Sequence, residues 1–143
     1  MDATLEKYAR LDVPRYTSYP TAAQFVDFKD DAVWRQWLGG LDAQAQLSVY
    51  VHIPFCQKLC WYCGCHTSVP NGYDRALAYV DTLLLEIEQT APLIGVDRGH
   101  VSHLHFGGGT PTYLKAGDIK RIVDKIDQAI GLADRGEVAI EID

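Results

Sequence analysis

The stretch LSVYVHIPFCQKLCWYCGCH, residues 47–66, decides how the chain is read. Its first seven residues alternate strictly, with Leu47, Val49, Val51 and Ile53 on one face and Ser48, Tyr50 and His52 on the other. A period of two predicts a strand, which Pro54 ends. Working outward, VSHLHF at residues 101–106 repeats the pattern, placing His103 and His105 on one face, and runs straight into Gly107-Gly108-Gly109-Thr110-Pro111. A third alternating run, EVAIEID at residues 137–143, sets Val138, Ile140 and Ile142 against Ala139, Glu141 and Asp143. Between the strands, Leu77, Val80, Leu84 and Ile87 recur at helical spacing after Asp74, with Gly95 as the expected stop. A second helix is expected from about Asp118, carrying Ile119, Ile122, Val123, Ile126 and Ile130 and ending at Gly131.

Alternation of strand and helix predicts an α/β fold of parallel βα units with right-handed crossovers. A doubly wound sheet buries both faces of its strands, which then read as continuous apolar runs. Here each strand keeps one polar face, as in the interior of a barrel that holds a ligand. The strand starts at 47, 101 and 138 are widely spaced, and at that pace a complete barrel takes about 250 residues. Three parallel strands, the N-terminal part of an open TIM-type barrel, are therefore expected over 47–143. Residues 1–46 read as a separate arm. PRYTSYPTAAQF, at 14–25, has no periodicity and predicts an extended segment, while DDAVWRQWL at 30–38 predicts a short helix that packs Val33, Trp34, Trp37 and Leu38 on the barrel.

Composition removes several classes of function. The 143 residues carry 13 basic and 19 acidic side chains, a net charge of −6, and no basic run that would follow a nucleic-acid backbone or an anionic membrane. No window reaches the roughly 18 apolar residues of a membrane span, and the charged N-terminus lacks the apolar core of a secretory signal. A cytoplasmic protein is expected.

The four cysteines, Cys56, Cys60, Cys63 and Cys65, lie within ten residues. Disulfides there would close small, strained loops, so metal binding is the better reading. Zinc would take four ligands, with Cys65, His52 or His66 completing the set, although zinc knuckles usually come as two separated pairs. An iron–sulfur cluster spreads its metal corners over several ångströms, which suits thiolates offered by one loop. Three thiolates on a four-iron cube would leave one iron free. The glycine loop fits neither phosphate fingerprint. Its unshielded backbone suits either a tight turn or close approach to a ligand, and it sits at the C-terminal end of the strand beside the one that ends in the cysteines.

YVHIPFCQKLCWYCGC followed by GGGTP after the next strand resembles the radical S-adenosylmethionine enzymes. PRYTSYPTAAQF, the fourth cysteine in CGC, and HLHFGGGTPTYL are similar to the oxygen-independent coproporphyrinogen III oxidases of haem biosynthesis among them. The resemblance implies an open (β/α)6 barrel in which Cys56, Cys60 and Cys63 ligate a [4Fe–4S] cluster, with Cys65 close by but not a ligand. The free iron would chelate S-adenosylmethionine, and reductive cleavage would yield methionine and a 5′-deoxyadenosyl radical. That radical would take a hydrogen from a propionate, and loss of carbon dioxide and an electron would leave a vinyl group, twice, turning coproporphyrinogen III into protoporphyrinogen IX. By the same resemblance Tyr50, Gly108 and Glu141 contact a first S-adenosylmethionine, and Tyr62, Gly109 and Thr110 line a second. Reduced flavodoxin or ferredoxin would be the electron donor and the full enzyme a monomer. The tyrosines of RYTSYPT would cover the cavity, with Arg15 meeting a propionate; His103 and His105 would support the site, and His52 would either do the same or pack under the loop with a satisfied hydrogen bond.

Two rival readings are a haem-binding chaperone of the same superfamily, which would lack RYTSYPT and the fourth cysteine, and an interaction module in which the four cysteines close on zinc. The unfinished barrel also predicts that the sequence is a fragment whose parent continues through at least three more βα units. Alone it would be inactive and prone to aggregate.

Overall fold

The computed structural model describes residues 20–27 and 29–142. The RYTSY segment with Arg15, and Asp143, lie outside the described residues. The chain divides into two compact units, Met1–Asp31 and Ala32–Asp143. Among the described residues of the first, a 3-10 turn spans Ala22–Gln24, and Phe25 and Val26 beyond it are exposed.

The second unit alternates helix and strand: α1 (Ala32–Gly39), β1 (Leu47–Ile53), α2 (Asp74–Thr90), β2 (Val101–Gly108), α3 (Ala116–Ala129) and β3 (Leu132–Ile140). The strands form one parallel sheet in the order β1-β2-β3, as the sequence pattern required. Register sets Tyr50 beside His105 and His105 beside Ala139, so the polar residues of all three strands share one face. The aliphatic face meets α2 and α3. Val51, Ile53, Leu104 and Phe106 pack there with Ala76, Val80, Ile122 and Ile126, all buried. Burial of each larger member contributes about 1.5–3 kcal/mol.

Several element ends differ from their expected positions. The α2 helix stops at Thr90 and continues as a 3-10 turn, Ala91–Leu93, so Gly95 does not end it. Gly95 is instead a point of close approach: its N–H donates to the Leu38 carbonyl, and a Cβ would sit only 2.5 Å from the Gly39 carbonyl oxygen. Gly131 does terminate α3, with φ of 92° and its N–H on the Ile126 carbonyl. The β3 strand begins at Leu132, earlier than the alternation suggests, because an irregularity opposite Val101 and His103 absorbs the extra residues.

The expected burial of the α1 tryptophans is not seen. No residue of α1 is buried, and Trp37 is 66% exposed. The helix lies against the short Ala91–Leu93 turn and Gly95, which are too small to cover its apolar stripe.

Candidate functional site

Parallel strands carry their loops to one end, and here β1 and β2 deliver the cysteine loop and the glycine loop side by side. The cysteine loop is closed at its base by paired backbone hydrogen bonds: the Cys56 N–H donates to the Ser68 carbonyl and the Ser68 N–H to that of Pro54, both at 3.0 Å. Within the loop Cys56 is buried, whereas Cys60, Cys63 and Cys65 are exposed. All four thiols line one pocket of about 150 Å³, together with Lys58, Gly109, Thr110, Glu141 and Ile142. The Cys56 sulfur lies 3.2 Å from the Thr67 hydroxyl and receives a longer hydrogen bond, 3.5 Å, from Thr110. Thr67 carries no sequence signal that would have marked it for this contact. Cys63, close beside Cys65, pushes that thiol's pKa up by charge repulsion and a shared hydrogen bond.

The glycine loop is held against β1 rather than left open. Gly109 N–H donates to the Ile53 carbonyl and Thr110 N–H to that of Phe55, so these two amides are taken by the chain itself and are not free for a ligand. A Cβ on Gly109 would lie 2.8 Å from the Cys56 sulfur, so the missing side chain leaves that thiol its place. Gly108, with φ of 119°, turns the chain out of β2 against the Ile53 carbonyl and the His52 ring. Tyr62 is 91% exposed and is not among the pocket residues.

The polar sheet face continues from this pocket. The Tyr50 phenol is stacked on His105 at 5.8 Å and bonded to Nδ1 of His52 at 3.1 Å, while Nε2 of His105 meets Oε1 of Glu141 at 3.2 Å. Withdrawal from water, and then the Glu141 charge, raise the Tyr50 pKa above the ordinary phenol value. His52 packs under the cysteine loop, its Nε2 donating to the His66 carbonyl at 2.9 Å. His103 is exposed and paired only locally with Ser102.

Among the described residues no three Cys, His, Asp or Glu side chains converge on one point as ligands of a single ion. The thiols instead surround a shared space, an arrangement suited to a cluster whose metal corners are several ångströms apart. The donor set is soft, sulfur-rich and partly shielded, and it fits an iron–sulfur group.

The family model of the radical SAM superfamily matches residues 50–143. The chain belongs to the radical SAM superfamily. Its curated relatives include proteins named oxygen-independent coproporphyrinogen III oxidase from Bradyrhizobium diazoefficiens, 43% identical over 95% of this chain, and from Salmonella typhimurium, 44% identical over 99% of it. This radical SAM chain spans about 30% of the length of either relative. Among solved structures, coproporphyrinogen III oxidase from Escherichia coli, described as a radical SAM enzyme, superposes with a TM-score of 0.79 at 39% identity. That match covers 99% of this chain and 30% of the other. No helix among the described residues is long and apolar enough to cross a membrane.

Proposed function

We propose that this segment forms the first, cofactor-binding half of the barrel domain of an oxygen-independent coproporphyrinogen III oxidase, in a protein of its relatives' length. The observation that carries the proposal is the convergence of all four thiols, Gly109, Thr110 and Glu141 on one pocket at the C-terminal end of a parallel sheet, in a chain similar to enzymes of that name. Cys56, Cys60 and Cys63 would hold a [4Fe–4S] cluster. A cluster held there with S-adenosylmethionine would supply one-electron chemistry for converting two propionates to vinyl groups, each conversion releasing a hydrogen atom, carbon dioxide and one electron to an acceptor.

The chain's own residues prepare the site. Thr67 and Thr110 place hydroxyls at the Cys56 sulfur and fix its position, and the Phe55–Ser68 pairing fixes where the loop leaves the sheet. Tyr50 and Glu141 present oxygens that would orient one S-adenosylmethionine. Gly109 and Thr110, and Tyr62 once its ring turns inward, would border a second. The Gly108 turn keeps the glycine loop level with the cysteines. Reduced flavodoxin or ferredoxin would be the electron donor, with a cytoplasmic, monomeric enzyme as the working form.

Anaerobic reconstitution with iron and sulfide tests the first half of this reading. A brown chain whose broad visible absorbance bleaches with dithionite is expected. A colourless chain holding one tightly bound zinc would sink it. Formation of vinyl product from coproporphyrinogen III, S-adenosylmethionine and reductant tests the substrate in the longer protein, and stoichiometric haem binding without decarboxylation would favour a chaperone instead.

A further inference from the structure

The polar network beside the cysteine pocket has a direction that hydrogen-bond chemistry fixes. A carbonyl only accepts, so His52 carries its hydrogen on Nε2, facing the His66 carbonyl. Nδ1 of the neutral ring is then an acceptor, and the Tyr50 hydroxyl donates to it. The remaining lone pairs of the phenol oxygen can only accept. On the other side, an ionised carboxylate also only accepts, so His105 donates from Nε2 to Oε1 of Glu141. His105 touches both partners, because its ring is also stacked on Tyr50 with an interplanar angle of 14°. The two meet over Gly107, where a Cβ would come within 2.9 Å of the Tyr50 hydroxyl and 3.0 Å of Oε1 of Glu141. Only a residue without a side chain lets them approach there.

We infer that His105 is a positioning residue: by stacking on Tyr50 and holding Oε1 of Glu141, it keeps the phenol oxygen and the second carboxylate oxygen as a paired acceptor platform for a ligand group rich in N–H or O–H donors. An ammonium or a vicinal diol is the chemical class that fits. This rests on the proposed cofactor, since S-adenosylmethionine carries both groups. It assigns a role to a residue that touches neither the cluster pocket nor, directly, the ligand. Even with His105 in place the Glu141 side chain is more than half exposed, so loss of that partner would leave it free to rotate into solvent, and the ligand would have to restrict it at a cost in affinity.

Two variants separate the hydrogen bond from the stacking. His105→Phe keeps a flat ring on Tyr50 and removes the donor, whereas His105→Gln keeps an N–H donor within reach of Glu141. With a protein of the relatives' length that contains this segment, reconstituted anaerobically, S-adenosylmethionine affinity is measured by equilibrium dialysis, and its effect on the electron paramagnetic resonance of the reduced cluster is recorded. His105→Phe is expected to weaken binding about ten-fold, with iron content and thermal midpoint unchanged, while His105→Gln stays within about three-fold. The double variant His105→Phe/Glu141→Gln is expected to bind no more weakly than Glu141→Gln alone. A wild-type chain that binds S-adenosylmethionine while His105→Phe binds it equally well, or additive losses in the double variant, would overturn the role of His105 and leave the cofactor reading standing. A wild-type chain that takes up no cluster, or whose cluster signal ignores S-adenosylmethionine, overturns both.

Discussion

A methyl group added at each of three consecutive glycines would meet a different obstacle. At Gly107 it would press on the ends of two side chains, Tyr50 and Glu141, which are half exposed and can swing away. At Gly108 it would face a left-handed φ of 119° and the Ile53 carbonyl at 2.8 Å, and at Gly109 the Phe55 carbonyl and the Cys56 sulfur, both at 2.8 Å. Backbone cannot yield as side chains do. Gly108→Ala and Gly109→Ala are therefore expected to lower stability by about 1–3 kcal/mol, and Gly107→Ala by less than about 1 kcal/mol, in urea titrations followed by circular dichroism. Gly107→Ala should nonetheless weaken S-adenosylmethionine binding, because it pushes the two acceptors apart. Equal losses of stability at all three positions would contradict this division. As letters the three glycines are equivalent; only their neighbours, brought in from β1, from the cysteine loop and from beyond β3, tell them apart.

Between elements, a polar clamp joins the start of α2 to α3. The Tyr73 hydroxyl donates to Oδ2 of Asp118 at 2.7 Å and accepts the Lys115 N–H, while Arg121 bridges Asp118 and Asp81. Asp118 is only 8% exposed. The Tyr73 hydrogen bond holds its carboxyl below the usual carboxylate range, against the cost of desolvation and with help from Arg121. A lowered folded-state pKa means that the ionised form favours the fold. The stabilisation is full above the unfolded value of about 3.9 and disappears as pH falls through the folded value. Asp118→Asn is expected to cost about 1–3 kcal/mol at neutral pH, with the gap from wild type closing as urea midpoints are followed into acid. The β3 strand presents the opposite situation. Val138, Ile140 and Ile142 are 54%, 40% and 78% exposed along the edge of the sheet, since no described helix covers their face. Such an edge favours self-association. Val138→Lys with Ile142→Lys is expected to move sedimentation toward single copies while stability changes by less than about 0.5 kcal/mol. Unaltered association would place the contact elsewhere. The aliphatic alternation of β3 was legible in its sequence, but its exposure depended on what packs against it.

At the scale of the molecule, the site is assembled from residues that the sequence holds far apart: Cys56 and Thr67 from one loop, Thr110 from another, and Glu141 from beyond β3. Loss of Cys56, Cys60 or Cys63 to serine is expected to abolish cluster uptake, whereas Cys65→Ser should retain iron at about the wild-type level, measured by iron and sulfide content after anaerobic reconstitution. Retention of a full cluster by Cys60→Ser would remove the proposed ligand set. The sequence by itself determined the strand–helix alternation, the parallel sheet, the cysteine cluster and the shared polar face carrying Tyr50, His105 and Glu141. These follow from local periodicity and spacing, which act within a few residues. It did not determine that α1 would leave Trp37 exposed, that Gly95 would serve close packing rather than a helix end, or that the Gly109 and Thr110 amides would be taken up by β1. Tertiary structure decided those outcomes, because exposure, close approach and hydrogen-bond partnership depend on which distant segments reach the same point in space.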